Sequence, residues 1–274
     1  MKVAYMTNAW GNVMAHCAAA NNVNGAYYVS TGADSEAISG IASAGFERIE
    51  IFDGNLTAYE GRENDFEKLL EDNHVSLLAV YSAANFIYDE ILPEELYRIK
   101  KVATFAKRFG ATQIALGGGA TRYDGVREDD YAKLAKGLDA VTELAESLGM
   151  TVSFHPHMGS LVETPEQLDK VMANTRISLC PDTGHVLLGG GDPIAVAEKY
   201  LDRIKYIHLK DVTKDGMFCP LGAGVIDFSA LQKVLNKADH EILYAIECDG
   251  WNGDPASGAK MTHQYLKDVL GFDN

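Results

Sequence analysis

The chain has 274 residues, 47% hydrophobic and 23% charged, with a formal charge of −15. That is ample apolar mass for a sizeable core, and too acidic a balance for a phosphate-backbone partner, which needs clustered Lys and Arg. No stretch approaches the roughly 20 apolar residues of a membrane span, and "MKVAYMTNAW" lacks a signal-peptide core, so a soluble cytoplasmic protein with a small-molecule partner is expected, with no nucleic acid and no membrane.

In chain order, eight β-rich runs appear: "KVAYMTN", "ERIEIF", "SLLAVYS", "TQIALGG", "TVSFH", "ISLCPD", "IKYIHLK" and "ILYAIE". Each is followed by a helical pattern, from "DSEAISGIASAG" after the first to "GAKMTHQYLKDVLG" after the last. Pro93 and Pro165 sit near first helical turns, Asp192 and Asp227 can cap, and Gly110 and Gly149 follow last turns. Nearly continuous apolar strands alternating with helices imply parallel pairing buried on both faces. Eight such units in this length predict a closed (β/α)8 TIM barrel in one domain, 1–274, with no Pro/Ser-rich linker. The Asn/Gly-rich segment from Gly11 to Gly32 reads as an insertion over the rim, with His16 as a gate or an exposed residue. Cys17, Cys180, Cys219 and Cys248 form no CxxC pair and read as reduced thiols.

In such a barrel function sits where strands end. The fifth strand ends in "FHPHMGS", where His155 and His157, two apart, face one side. The sixth runs into "CPDTGH" with Asp182 and His185, the seventh into "IHLKD" with His208 and Lys210, and the eighth into "IECDG" with Glu247. A strand-end histidine alone is as readily a hydrogen-bonded structural residue, and Asp182 alone could simply cap a turn. The conjunction of His155, Asp182, His208 and Glu247 on four successive strands predicts one divalent metal ion. Two imidazoles with two carboxylates favour Mn²⁺, Co²⁺, Zn²⁺ or Fe²⁺ over Mg²⁺ or Ca²⁺. His157 and His185 then face substrate or neighbouring loops, and Lys210 can bind a substrate oxygen or form a salt bridge. Trp10 and Trp251 could wall a sugar-sized pocket or pack in the core, and Glu50 closes the second strand. "GGGATRYDG" and "GGGDP" match no nucleotide-binding spacing and read as tight turns.

The strings "CPDTGHVLLGGGDP", "RIKYIHLKD", "PLGAGVIDF" and "YAIECDG" resemble the sugar phosphate isomerase/epimerase superfamily with the xylose isomerase-like TIM barrel. The resemblance implies a metal held from strands five to eight, carrying over to Asp182, His208 and Glu247, with His185 matching the His three after the Asp and Glu50 the strand-two acid. Where many members carry Glu on strand five this chain has His155, and HxHMG is similar to the inosose dehydratase branch, which removes water from a keto-inositol with Mn²⁺ or Co²⁺. The expected chemistry is enediolate formation on a keto-sugar or keto-polyol followed by loss of water. Proton removal falls to His157 or Glu247, stabilisation of the enolate to Lys210, and substrate contact to Trp10, Glu50, His185 and Trp251. Isomerisation or epimerisation, β-elimination from a 3-keto-glycoside with a partner subunit, homo-oligomerisation, and a non-catalytic sugar-binding barrel stay open at this point.

Overall fold

The computed structural model describes residues 2–15 and 25–272. Eight short strands, β1 (Val3–Met6), β2 (Arg48–Phe52), β3 (Ser76–Ala84), β4 (Gln113–Gly118), β5 (Thr151–Phe154), β6 (Ser178–Leu179), β7 (Tyr206–Leu209) and β8 (Leu243–Ile246), pair in parallel. Their order runs from β6 back through β5, β4, β3 and β2 to β1, then β8 and β7. Single parallel bridges, Leu179 to Ile204 and Asp182 to His208, join β6 to β7 and complete the ring. This is the (β/α)8 barrel that the alternation of patterns predicts.

The helices are α1 (Asp34–Ser43), α2 (Asp53–Thr57), α3 (Glu63–Asp72), α4 (Leu92–Arg108), α5 (Glu128–Ser147), α6 (Pro165–Met172), α7 (Thr183–Leu188), α8 (Pro193–Tyr200), α9 (Phe228–Leu235) and α10 (Pro255–Leu270). Their starts follow the capping chemistry in the sequence. Thr164 and Gln167 form a reciprocal capping box ahead of Pro165, and the Asp192 and Asp227 side chains accept from Ile194 N–H and Ala230 N–H. Gly110 (φ 89°) and Gly149 (φ 67°) adopt the left-handed turn after α4 and α5.

Because strand side chains alternate faces, one set of each strand packs outward on the helices and the other fills the barrel. Ile49, Ile51, Val80, Leu116, Phe154, Ile207 and Ile246 belong to the outer layer, and Ala4, Met6, Phe52, Ala79, Tyr81, Ala115, Cys180, Tyr206 and Ala245 to the inner one. A register shift between Ile49 and Glu50 puts an extra residue into β3, so that its inner set runs Ala79, Tyr81, Ala83. The same period of two extends past the strand ends: Cys180 leads to Asp182, Tyr206 to His208 and Lys210, Ala245 to Glu247. The sequence thus projects its polar residues into the mouth by continuing the inner face.

The segment after β1 forms a 3₁₀ turn, Thr7–Trp10, and a small antiparallel hairpin of Val13–Ala15 with Tyr28–Ser30. Tyr28 N–H donates to Asp53 Oδ1 (2.8 Å) and Ser30 N–H to Asn55 Oδ1 (2.7 Å), which ties the hairpin to α2. His16 and Cys17 lie outside the described residues. Cys180, Cys219 and Cys248 are buried free thiols, and no described helix is long and apolar enough to cross a membrane.

Candidate active site

Four side chains from the ends of β5 to β8 meet at the mouth: His155, Asp182, His208 and Glu247 are all buried, and one donor atom from each lies within 4.8 Å of the others. Asp182 divides its two oxygens. Oδ1 accepts from His185 N–H at 2.8 Å and caps α7, while Oδ2 is buried with no hydrogen bond, its nearest cation the Lys210 ammonium at 3.3 Å. Capping and cluster membership are therefore not alternatives; the cap fixes the rotamer that aims Oδ2 inward. His155 Nε2 sits 3.6 Å from both Asp182 Oδ2 and Glu247 Oε2, too long for hydrogen bonds, and both its ring nitrogens are unpartnered. His208 Nδ1 lies 2.7 Å from Glu247 Oε2, and its Nε2 lies 3.1 Å from Glu50 Oε2. Both partners are carboxylates, which only accept, so both ring nitrogens donate; burial opposes the imidazolium, but its neighbours, Glu50 first, hold the pKa well above the histidine norm, and Nδ1 would release its proton to take an ion.

Each buried unpartnered polar atom costs on the order of 1–3 kcal/mol. Here two of them, a His155 nitrogen and Asp182 Oδ2, meet a His208 nitrogen and a Glu247 oxygen at one gap. That donor set fits a divalent cation of borderline character. The centre is a candidate metal site, and these four residues could hold the ion.

Several expected substrate contacts lie elsewhere. Glu50 is fully buried inside the barrel, where it accepts from Tyr206 Oη–H as well as from His208; it braces His208 and does not line the mouth. Trp10 is rotated outward by the 3₁₀ turn. It meets Tyr5 edge-on at 5.9 Å and lies so close over Gly40 of α1 that a Cβ there would approach its ring to 2.5 Å. Trp251 turns away after Gly250 (φ 59°) and packs on Gly253 and Gly258 at the start of α10. For both tryptophans packing is the role observed. His185 lies beneath His157, the ring centroids 3.7 Å apart, and its Nε2 accepts from Lys210 Nζ–H at 3.0 Å rather than facing the open cavity. Burial, then the neighbouring Lys210 charge, push its pKa well below the histidine norm, so it is neutral.

Of the two roles open to Lys210, a substrate contact or a salt bridge, the geometry gives the salt bridge, with Glu247 among its partners. Its ammonium is fully enclosed by Asp249 Oδ2 (2.7 Å), His185 Nε2 (3.0 Å), Glu247 Oε1 (3.1 Å) and Asp182 Oδ2 (3.3 Å), so its three donors are consumed within the protein. Burial opposes its charge, but the three carboxylates outweigh it and hold the pKa above the ordinary lysine value. Lys210 is a positioning residue here.

The mouth opens on a cavity of about 820 Å³, lined among the described residues by Tyr28, Phe52, Tyr81, Asn85, Arg98, His157, Glu247 and Asp249. His157 is the histidine that faces it. Its Nδ1 lies 2.7 Å from the Met158 carbonyl, which can only accept; Nδ1 therefore carries the proton and Nε2 is bare. Burial first, then the His155 and Lys210 charges, lower its pKa, which keeps the ring neutral near pH 7.

Two contributors, Asn8 and Tyr81, are not picked out by the sequence pattern, and for a third, Asp211 just past the end of β7, the role is not. Asn8 donates from Nδ2 to Glu247 Oε1 (3.2 Å) and Asp249 Oδ1 (2.6 Å), clamping both carboxylates; it is the last residue of the first apolar run, two beyond Met6 on the inner face. Tyr81 packs edge-on against His155 at 5.4 Å and, with Phe52, supplies the aromatic wall that the tryptophans do not. Asp211 accepts from the N–H groups of Val212 (2.9 Å), Gly222 (3.0 Å), Gly224 (2.9 Å) and Ile226 (3.3 Å), which explains the glycines of "PLGAGVIDF". A Cβ on Gly224 would stand 2.1 Å from Asp211 Oδ1. The folded loop places Phe218 with its ring 4.9 Å from Lys210 Nζ and edge-on to His185.

Comparison with known proteins agrees with this architecture. An inosose dehydratase of Clostridium beijerinckii is 29% identical over 272 aligned positions, covering 86% of this chain and 90% of the relative. One from Lacticaseibacillus casei is 32% identical over 168, covering 53% and 56%. Among solved structures, the probable 3-DHS dehydratase AsbF of Bacillus anthracis superposes with TM-score 0.72 at 16% identity, covering 98% of this chain and all of that one. The IolI protein with a bound zinc atom gives 0.71 at 17% identity, covering 99% and 98%. Residues 38–269 match one family over most of the chain's length, and the protein belongs to the xylose isomerase-like TIM barrel family.

Proposed function

We propose that the protein is a metal-dependent lyase that eliminates water from a keto-polyol or keto-sugar, an inosose dehydratase-like reaction, and that it works in the cytoplasm with Mn²⁺ or Co²⁺ as its ion. The observation that carries the reading is the convergence of unpartnered atoms of His155 and Asp182 with His208 and Glu247 beside a cavity into which His157 presents a bare Nε2. The inosose dehydratases among its relatives support the substrate class.

A bound dication would supply Lewis-acid polarisation of a substrate carbonyl, which makes the adjacent C–H acidic. The chain's own residues provide the rest. His157 Nε2 takes the proton, its ring held in orientation by the Met158 carbonyl and by close, tilted contact with neutral His185. The imidazolium so formed is positioned to return that proton to the β-hydroxyl, which departs as water and leaves the enone. Tyr28, Phe52 and Tyr81 offer apolar ring faces to the C–H faces of the substrate and exclude water. His155 at the place of a strand-five glutamate removes one member of a two-carboxylate proton shuttle, which favours elimination over epimerisation.

The test is turnover of a keto-inositol and 3-keto-sugar panel by metal-stripped and Mn²⁺- or Co²⁺-loaded protein, read as enone absorbance. His157→Gln should lower kcat by about 10²–10⁴-fold with metal content unchanged. Equal turnover by stripped and loaded protein would sink the proposal.

A further inference from the structure

The ammonium of Lys210 stands where a cation's ligands already converge. Without it, His185, Glu247 and Asp249 would present an imidazole nitrogen and two carboxylate oxygens within 4.8 Å of one another, a ligand set for a metal in its own right. Glu247 is common to both clusters: Oε2 faces His208 and His155, while Oε1 lies 3.1 Å from Lys210 Nζ. A carboxylate shared between two cations is the arrangement of a two-metal centre. We propose that Lys210 is a built-in replacement for a second cation, filling the His185–Glu247–Asp249 ligand set and confining the centre to a single metal ion. The inference rests on the metal reading proposed above.

The surroundings are shaped to deliver that one charge. Thr183 Oγ1 donates to the Lys210 carbonyl (2.7 Å) and accepts from Lys210 N–H (2.8 Å), pinning the backbone in both directions. The stem then runs over Gly184, where a Cβ would stand 2.9 Å from Lys210 Cγ, so the glycine of "DTGH" clears its path. Phe218 closes the far side. One ammonium and one dication together match the charge of the three carboxylates that Nζ touches. A second dication alongside the ammonium would leave an excess positive charge in a buried site.

The experiment counts ions. Metal-stripped protein is loaded with excess Mn²⁺, freed of unbound metal, and read by elemental analysis and by low-temperature electron paramagnetic resonance. Wild type should hold one Mn²⁺ per chain with the spectrum of an isolated ion. Lys210→Ala should hold two, with an exchange-coupled spectrum, and Asp249→Ala in that background should return the count to one. Lys210→Asn, which keeps a polar side chain too short to reach the Nζ position, gives a second variant if the alanine form does not fold, and should also hold two. One ion in a folded Lys210→Ala or Lys210→Asn protein overturns the proposal, as do two ions in wild type. No ion in wild type overturns instead the four-residue metal site on which it rests.

Discussion

The two halves of the barrel mouth use buried ionisable groups in opposite ways. Strands β5 to β8 end in His155, Asp182, His208 and Glu247, where both nitrogens of His155 and Oδ2 of Asp182 are left without hydrogen-bond partners. On the side of β2 to β4, Asp53 at the start of α2 and Glu95 and Arg98 of α4 are as deeply buried, yet each carboxylate oxygen there is hydrogen-bonded. Arg98 Nη1 pairs with Asp53 Oδ2 at 2.8 Å and with Ser82 Oγ at 3.2 Å, and Glu95 accepts from the N–H groups of Asn85 and Phe86. Those bonds hold the loop after β3, including Phe86 at a left-handed φ of 61°, against the cavity. Burial of charge does not by itself mark reactive chemistry; polar atoms left unmatched and pointed at one place do.

Breaking each half should therefore fail differently. His208→Ala, on the reactive side, should lower kcat by about 10³-fold or more and lose bound metal, checked by elemental analysis on protein whose circular dichroism is unchanged. On the opposite side Arg98→Met strands the Asp53 carboxylate in the interior and should cost about 3–5 kcal/mol in urea unfolding, while the folded fraction still binds metal. Tyr28→Ala, at the exposed edge of the aromatic wall, should raise KM about tenfold with kcat nearly constant, since it removes contact made equally in ground and transition states. The smallest effect sharpens the contrast by pH. Burial alone would push the Asp130 carboxyl up, but Arg122, bonded to both its oxygens at 2.8–3.1 Å, holds it below the ordinary 3.8. A depressed folded-state pKa means that this pair stabilises above pH 3.8 and that its contribution fades as pH falls through the folded-state value. Asp130→Asn should be less stable by about 1 kcal/mol at pH 7 and should lose that deficit in acid, read from denaturant midpoints at both pH values.

The barrel was legible because eight apolar runs and eight helical patterns each exceed the few residues needed to show a period. Short α2 and α7 were not, since five- and six-residue helices display no periodicity. The positions of His155, Asp182, His208 and Glu247 could be read from same-face spacing past strand ends, which is a local property. The direction of Trp10 and Trp251 could not, because it is set by the 3₁₀ turn after β1 and by Gly250. Glu50 sits mid-strand, where inward projection leads to His208 rather than to the mouth. Lys210 shares the face of His208 as its spacing implies, but the carboxylates that enclose it arrive from β6 and β8, and only tertiary structure brings them there.

The ring of strands is joined least continuously between β6 and β7, where two isolated bridges replace a ladder, and one of those bridges pairs Asp182 with His208. A cation gripped by both residues would act as a rivet across that seam. Shutting the cylinder and forming the grip would then be one event, so loading the ion should slow amide exchange there far more than at the β3–β4 ladder on the opposite wall.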